Sequence, residues 1–526
     1  MRIIIKTKKI YLSLLILTIL LSTAWSNVSQ VQANTSTPVQ ITVSPVSISG
    51  IISADFLGLS YPISRIATSD TMSSEFLSTD NSIYAKLLEN LGSGVFRMND
   101  GNTNYTFWLT TPPAGICKTG NHPITVLSKA NVDNLFAIAK LTGWSVIFGV
   151  NMGCYTSTTI QMAANEAAYL QKTGGNSLIA LELGNEPNGY ALLGLRDSAY
   201  DPTKYEREFN QYADAINKAV KHVRLAGPST VVAQSWFTHF LGSGSIDSST
   251  ADIHDDLATV HMYSIYKSKS GIDGIYCEPS VCQKIIGMLL SEAQAEATNT
   301  QITTYTTIAK QKNFPLRFDE VNSISIGGMN GVSDRFAATL WGIDTLFMMA
   351  DSGASGVNFS GGGCHGYSPI SYCPSGSSES VDSTFSHSQT FNAGALYYSM
   401  LFFHEATQGN SQPLKVAYNK TLANLGVYAV QSAQDNTMRV ILVNRDSQNS
   451  VSTSINPGGV YSNARMIRLL APAINSPAED ITLAGSSVQE DGSWTFKTDE
   501  PVNLVGTKYP VTLPPGSAAI ITFSHS

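Results

Sequence analysis

Eight short apolar segments, separated by tens of residues of helical or loop character, constrain this chain more than any other feature. They are Ala54–Tyr61, Gly94–Asp100, Trp144–Asn151, Leu178–Glu186, Val223–Ser229, Leu257–Tyr263, Phe314–Glu320 and Ser355–Gly361. Runs of this length that are apolar on both faces suit strands buried from both sides, as in a parallel sheet. Between them lie patterns such as Tyr205–Val223, whose apolar positions recur at helical spacing. Eight strand–helix units predict an α/β chain folded as a (β/α)8 TIM barrel. The rival architecture is an open doubly wound sheet, but no phosphate-binding glycine fingerprint follows the first strand.

From about Phe403 the texture changes to short, alternating, β-branched segments with Gly, Pro, Asn and Asp at the turns, which predicts a β-sandwich. Ile41–Ile52 alternates in the same way and is expected to pair with it. The predicted organisation is therefore a strand segment over 34–55 belonging to the sandwich, a catalytic barrel over 56–402 and the sandwich over 403–526. Residues 1–33 read as a secretory signal peptide: Arg2, Lys6, Lys8 and Lys9 precede an apolar run, Ile10–Leu21, and a polar stretch ending at Ala33. An uncleaved anchor is the alternative, but the run is short for a membrane span. A secreted, extracellular protein is expected.

Six cysteines fit that compartment. Of the fifteen pairings that six allow, the economical one joins Cys277–Cys282 and Cys364–Cys373, close in sequence, and leaves Cys117–Cys154. A zinc site would need a Cys-x-x-Cys or a neighbouring histidine set, and neither is present, so no metal is expected. The net charge of −7 with only 13% charged residues argues against nucleic acid or an anionic membrane as partner, and more weakly against an enzyme that grips long polyanions.

Two of the eight segments end in a glutamate. LELGNEPNGY, Leu181–Tyr190, stops at an Asn-Glu-Pro corner that presents Glu186, and FPLRFDEVNS, Phe314–Ser323, delivers Glu320. In a barrel these would be the ends of strands four and seven, facing one mouth, where barrel enzymes keep their chemistry. Glycosidic cleavage needs one carboxylic acid to protonate the leaving oxygen and a second carboxylate at the anomeric carbon. If configuration is retained, the two lie about 5–5.5 Å apart and the second is a nucleophile. Glu186, in its shielded corner, is expected to be the acid/base. Glu320 is expected to be the nucleophile, kept ionised by Arg97 from the second strand.

The other strand ends supply candidate partners. His261 and Tyr263 close the sixth segment, where a tyrosine hydroxyl can hydrogen-bond the nucleophile, although a core histidine and a packing tyrosine would look the same. Asn185 is a candidate contact to a sugar hydroxyl. Trp108, Tyr190 and Tyr266 are candidate stacking platforms, although ordinary packing is the better account of each taken singly. The chemistry needs only carboxylates and water, so no cofactor is implied.

LELGNEPN followed by HMY and RFDEVNS resembles the clan of retaining (β/α)8 glycosidases whose catalytic glutamates end strands four and seven. More narrowly, the run Gly327–Gly363 resembles glycoside hydrolase family 79, which holds β-glucuronidases and heparanase. The resemblance covers most of the chain after the leader. It implies a retaining exo-β-glucuronidase acting on a terminal uronic acid of a glycan or glycoside, with Glu186 as acid/base and Glu320 as nucleophile. It also implies that backbone N–H groups around Gly327 and Gly328 meet the sugar carboxylate, and that Arg97 and Asn102 align with the family's second-strand pattern. Ser60-Tyr61-Pro62 stands where members often carry a glutamate, and Ser360 where a histidine is frequent, so the sugar-binding shell departs from the family.

Other readings stay open. An endo-acting, heparanase-like or hyaluronan-cleaving hydrolase should line its cleft with cations, and only Lys118, Lys267, Lys269 and Arg335 are visible for that. A β-glycosidase for neutral sugars would explain the altered shell. A secreted carbohydrate-binding protein that kept the barrel would be expected to have lost a catalytic carboxylate, and both are present. Asn104 and Asn419 lie in Asn-x-Ser/Thr sequons. Oligomeric state is not legible.

Overall fold

In the computed structural model the eight apolar segments form eight parallel strands that close on themselves, the eighth pairing with the first. The structure describes residues 37–67, 77, 79, 81–112, 115, 117, 122–243, 256–267, 274–362, 366–372 and 391–525. The leader reading and the Cys364–Cys373 pairing fall outside these residues.

The barrel strands are Leu57–Tyr61, Val95–Met98, Ser145–Val150, Leu178–Leu183, Leu225–Val231, Leu257–Ile265, Leu316–Ile324 and Gly356–Ser360. Each is buried at nearly every position because helices cover the outer face while the strands' own side chains fill the interior. The amphipathic segment expected over Tyr205–Val223 is the helix Pro202–Ala219, capped by Asp201, whose carboxylate accepts from the Lys204 N–H. It ends early because residues beyond Ala219 must turn into the fifth strand.

Past the barrel, ten strands form one continuous sheet that is antiparallel but for a single pairing. Val39–Ser47 lies within it, antiparallel to Ser411–Tyr418 and parallel to Val451–Asn456. Residues from both halves of the sheet, among them Ile41, Val43, Val440, Ile455, Leu513 and Phe523, enclose a separate apolar core. Strands such as Tyr509–Leu513 alternate buried and exposed, as one-sided packing requires.

The first strand after the barrel starts at Ser411, later than the change of texture near Phe403, because the helix Ala395–Thr407 intervenes and stacks Phe403 on Phe56 at 5.2 Å. The helix Phe336–Asp351 is buried along almost its whole length, since the sheet covers the face that the barrel leaves. Its Asp344 receives Tyr428 Oη at 2.9 Å and Arg445 Nη1 at 3.1 Å, both from the sheet. No helix among the described residues is long and apolar enough to cross a membrane.

Candidate active site

The site is built around Arg97, a guanidinium with no exposed surface in an otherwise apolar strand. Its donors are all directed. Nε faces Glu182 Oε2 at 2.6 Å and Asp319 Oδ2 at 3.0 Å. Nη1 donates to Glu320 Oε2 at 2.9 Å, Ser60 Oγ at 2.9 Å and the Asn99 carbonyl at 3.0 Å. Nη2 donates to Asn185 Oδ1 at 2.9 Å and Ser229 Oγ at 3.0 Å, and meets His261 Nε2 at 2.9 Å. A buried charge is tolerable only when so fully partnered.

Glu186 lies three residues past the end of the fourth strand, in a left-handed conformation at φ 47° that a non-glycine residue adopts only under constraint. Its N–H donates to the Ser229 carbonyl at 2.9 Å, tying the corner to the fifth strand. The side chain is 33% exposed and its Oε1 is 2.8 Å from His261 Nδ1. An arginine can only donate, so His261 Nε2 accepts from Arg97 and the ring proton sits on Nδ1, directed at Glu186.

Glu320 was expected at the end of the seventh strand but is mid-strand, because strands six and seven stay paired beyond the mouth, through Asn322 with Tyr263 and Ile324 with Ile265. Tyr263 likewise lies inside the sixth strand. The register slips between them: Phe318 pairs with Val260 while Glu320 pairs with His261, leaving Asp319 as the extra residue of a bulge. Strict alternation would send Asp319 and Glu320 to opposite faces. The bulge brings both carboxyls onto Arg97. Glu320 Oε1 accepts from Tyr263 Oη at 2.7 Å.

One carboxylate oxygen of Glu186, one of Glu320 and a ring nitrogen of His261 lie within 4.8 Å of one another. Among the described residues this is the cluster with the donor types for a cation, but the donors do not fit one. His261 Nδ1 carries a proton, Nε2 is taken by Arg97, and Arg97 already supplies positive charge to Glu320. Burial pushes the Glu320 carboxyl up, but His261, Arg97 and the Tyr263 hydroxyl outweigh it and hold the group below the ordinary glutamate range. Burial raises Asp100, beside the same mouth, to about 6, with the Glu320 charge adding to the effect.

The remaining candidates divide. Asn185 is buried beside Arg97, and Arg97 and His261 are fully enclosed, so the last two act on the glutamates rather than on a ligand directly. Asn102 is exposed and donates to Asp100 Oδ2 at 2.8 Å. Gly327 and Gly328 form a left-handed turn after the seventh strand, at φ 77° and 78°. A Cβ on Gly328 would meet Tyr367 and Ser333, which is why the turn needs glycine there. Tyr367 in turn reaches Ser360 Oγ at 3.2 Å.

Trp108 packs against Tyr169, and Tyr190 is buried with its hydroxyl on Asn104 Oδ1 at 2.7 Å, so neither is a platform. Tyr266 accepts from the Tyr263 N–H at 3.0 Å and steadies that residue. Lys267 is no cleft cation: its Nζ donates to the carbonyls of Gly274 at 2.7 Å and Ile326 at 2.9 Å. Arg335 lies 3.3 Å from Asp334, and Lys118 and Lys269 fall outside the described residues. Asn104 is buried and its sequon is unusable in the folded chain, whereas Asn419 is exposed.

Cys117–Cys154 and Cys277–Cys282 are disulfides. Sequence reasoning missed Glu182, Asp319, Asn99 and Ser229. The available signal was the charge itself, since Glu182 interrupts the apolar run Leu178–Leu183 and a lone acid in a buried strand demands a partner.

The folded chain is similar to a 4-O-α-L-rhamnosyl-β-D-glucuronidase from Fusarium oxysporum 12S solved with Rha-GlcA, at 18% identity and a TM-score of 0.69 over 92% of this chain and 100% of that one. It is also similar to a GH51 arabinofuranosidase from Xanthomonas axonopodis pv. citri, at 13% identity and a TM-score of 0.66 over 93% and 100%. A third similar structure is CelM2, a bifunctional glucanase-xylanase from a metagenome library, at 12% identity and a TM-score of 0.60 over 93% and 99%. The chain has the fold of known glycoside hydrolases. No family model matches the sequence, the family 79 resemblance included, and no curated protein matches it.

Proposed function

We propose that the protein is a retaining glycoside hydrolase, and that its substrate is a glycan or glycoside carrying a terminal β-linked glucuronic acid. The observation that carries the reaction class is the approach of one carboxylate oxygen of Glu186 to within 4.8 Å of one of Glu320, which suits the separation of about 5–5.5 Å between the carboxyl groups of a retaining pair better than that of about 6.5–9.5 Å in an inverting one. The roles follow from the partners. Arg97 and Tyr263 touch Glu320, so it is the ionised nucleophile that forms the glycosyl–enzyme bond. Glu186 faces only a histidine N–H and is partly open to solvent, so it delivers the proton to the leaving oxygen and then takes one from the incoming water.

The uronic acid is supported by the sequence resemblance and by the glucuronidase among the similar structures. The Gly327–Gly328 turn is the feature assigned to the carboxylate, since Arg97 is saturated and enclosed. That same saturation, with Lys267 tied to carbonyls, favours a β-glycosidase for neutral sugars as the second reading and weighs against a polyanion-gripping endo-hydrolase.

The test compares release of p-nitrophenol from the β-glucuronide, the β-glucoside and the α-arabinofuranoside, with Glu320→Gln as control and the anomer of the first product read by NMR. Preference for the glucuronide with retention is expected. Activity on the glucoside alone would move the substrate to the second reading. An inverted product, or full activity in Glu320→Gln, would overturn the mechanism.

A further inference from the structure

Arg97 serves Glu320, yet two further carboxyls crowd the same guanidinium. Glu182, Asp319 and Arg97 have no exposed surface. Glu182 Oε2 accepts from Arg97 Nε at 2.6 Å and Asn99 Nδ2 at 2.7 Å. Glu182 Oε1 and both Asp319 oxygens are buried with no well-aligned donor among the described residues. Both carboxyls nonetheless meet the same Arg97 Nε, Glu182 Oε2 at 2.6 Å and Asp319 Oδ2 at 3.0 Å, so they are crowded against one another. Two carboxylates have four acceptor oxygens and no proton between them, so the oxygens left without a donor are satisfied only if one carboxyl is protonated and donates to the other. Charge counting agrees. Full ionisation of Glu182, Asp319 and Glu320 would set three negative charges against Arg97, the one guanidinium that touches all three, in a dry interior. Of the other groups that face the pair, Arg317 is a buried cation whose donors are directed at Asn358 Oδ1 and the carbonyls of Asp55, Phe56 and Leu57, His261 Nε2 is 3.9 Å from Asp319 Oδ1 but is engaged by Arg97, and Asn99 is neutral.

We propose that Glu182 and Asp319 share one buried proton and act as a positioning pair, one anion and one acid, that holds Arg97 against the nucleophile Glu320. Burial and the Glu182 charge push the Asp319 carboxyl well up, whereas for Glu182 burial is outweighed by the Arg97 guanidinium, which holds it below the ordinary glutamate range. The proton therefore sits on Asp319 and is donated to Glu182. Glu182 balances the guanidinium, so Arg97 orients Glu320 without drawing down its reactivity as a sole counterion would. The bulge is what brings Asp319 and Glu320 onto the same guanidinium, because strict alternation would send them to opposite faces. The inference rests on the reading of Glu320 as nucleophile for its catalytic consequence, but not for the shared proton itself.

Three variants test it: Glu182→Gln, Asp319→Asn and the double. An amide donates where the acid donated and carries no charge, so each single variant still has one anion and one donor, whereas the double has no anion. Each single change is expected to lower kcat by about threefold and the double by about a hundredfold, well beyond the product, with its acid limb displaced to lower pH. Additive effects, expected of two separately ionised carboxylates, would overturn the pair. So would a double variant no worse than the singles, which is what mere packing predicts.

Infrared difference spectra at neutral pH supply a readout that needs neither turnover nor the double variant. The wild type should show the carbonyl stretch of a solvent-shielded carboxylic acid that Asp319→Asn lacks, and no such difference would refute the shared proton. Should the wild type cleave no glycoside, the proposed function falls while the spectra still decide the pair.

Discussion

Replacing Tyr263 by phenylalanine deletes a single oxygen, the one 2.7 Å from Glu320 Oε1. A hydrogen bond onto an ionised group contributes about 1.5–3 kcal/mol, roughly one to two pH units at 1.36 kcal/mol each. The Glu320 side chain keeps Arg97 and is 13% exposed, so water takes over part of the hydroxyl's work and the lower end applies, about one unit. The hydroxyl favours the ionised form, so its loss raises the carboxyl. The acid limb of kcat/KM should therefore move up by about one pH unit, and kcat at the optimum should fall about tenfold or more as the carboxylate loses its orientation. The assay is a pH profile of aryl-glycoside hydrolysis for both proteins, with thermal melts to show that Tyr263→Phe folds. An acid limb that stays put or moves down would refute the electrostatic account of Glu320.

Three further outcomes follow from the structure. Glu186→Ala should lose most activity on substrates with poor leaving groups and recover toward those with good ones, and a uniform loss would count against its acid role. Glu166, enclosed beside Trp108, Phe107 and Met162, is raised by burial to about 8 from an ordinary 4.5. The folded state thus binds the extra proton between those values, so its stability falls as pH rises through that window. Glu166→Gln should gain about 3 kcal/mol over the wild type at pH 7 and little at pH 4, and a pH-independent difference would sink the argument. Opening Cys117–Cys154 by Cys117→Ser should cost about 4 kcal/mol in chemical denaturation and opening Cys277–Cys282 by Cys277→Ser about 2, because the sequence separations are 37 and 5; the reverse order would refute loop-entropy control.

The barrel was legible because its signal is local and repeated. Each strand is apolar throughout, each is followed by a helical or loop stretch, and eight such units close only one way. The alternating strands after Ser411 were legible for the same reason, and Val39–Ser47 announced its membership by sharing their period. Glu186 and Glu320 were legible because each abuts a buried apolar run, and a charge is desolvated at such a place only where something nearby compensates it.

What the sequence could not contain is register. A one-residue bulge decides whether Asp319 points with Glu320 or against it, and it depends on how the sixth and seventh strands pair across a gap of some fifty residues. Arg97 read from sequence as the cation that keeps Glu320 ionised and, through the resemblance, as part of the sugar-binding shell. In the fold it sits beneath both glutamates, because closure of the barrel converges Glu182, Asn185, Ser229, His261 and Asp319 on it from four different segments. Trp108 and Tyr190 changed from platforms to packing for a related reason: whether an aromatic ring faces substrate or core depends on which neighbours the closed barrel brings against it. Composition and period determined the scaffold and named the carboxylates. Convergence of distant strands, set by register and closure, decided which charges meet and which carboxyl keeps a proton.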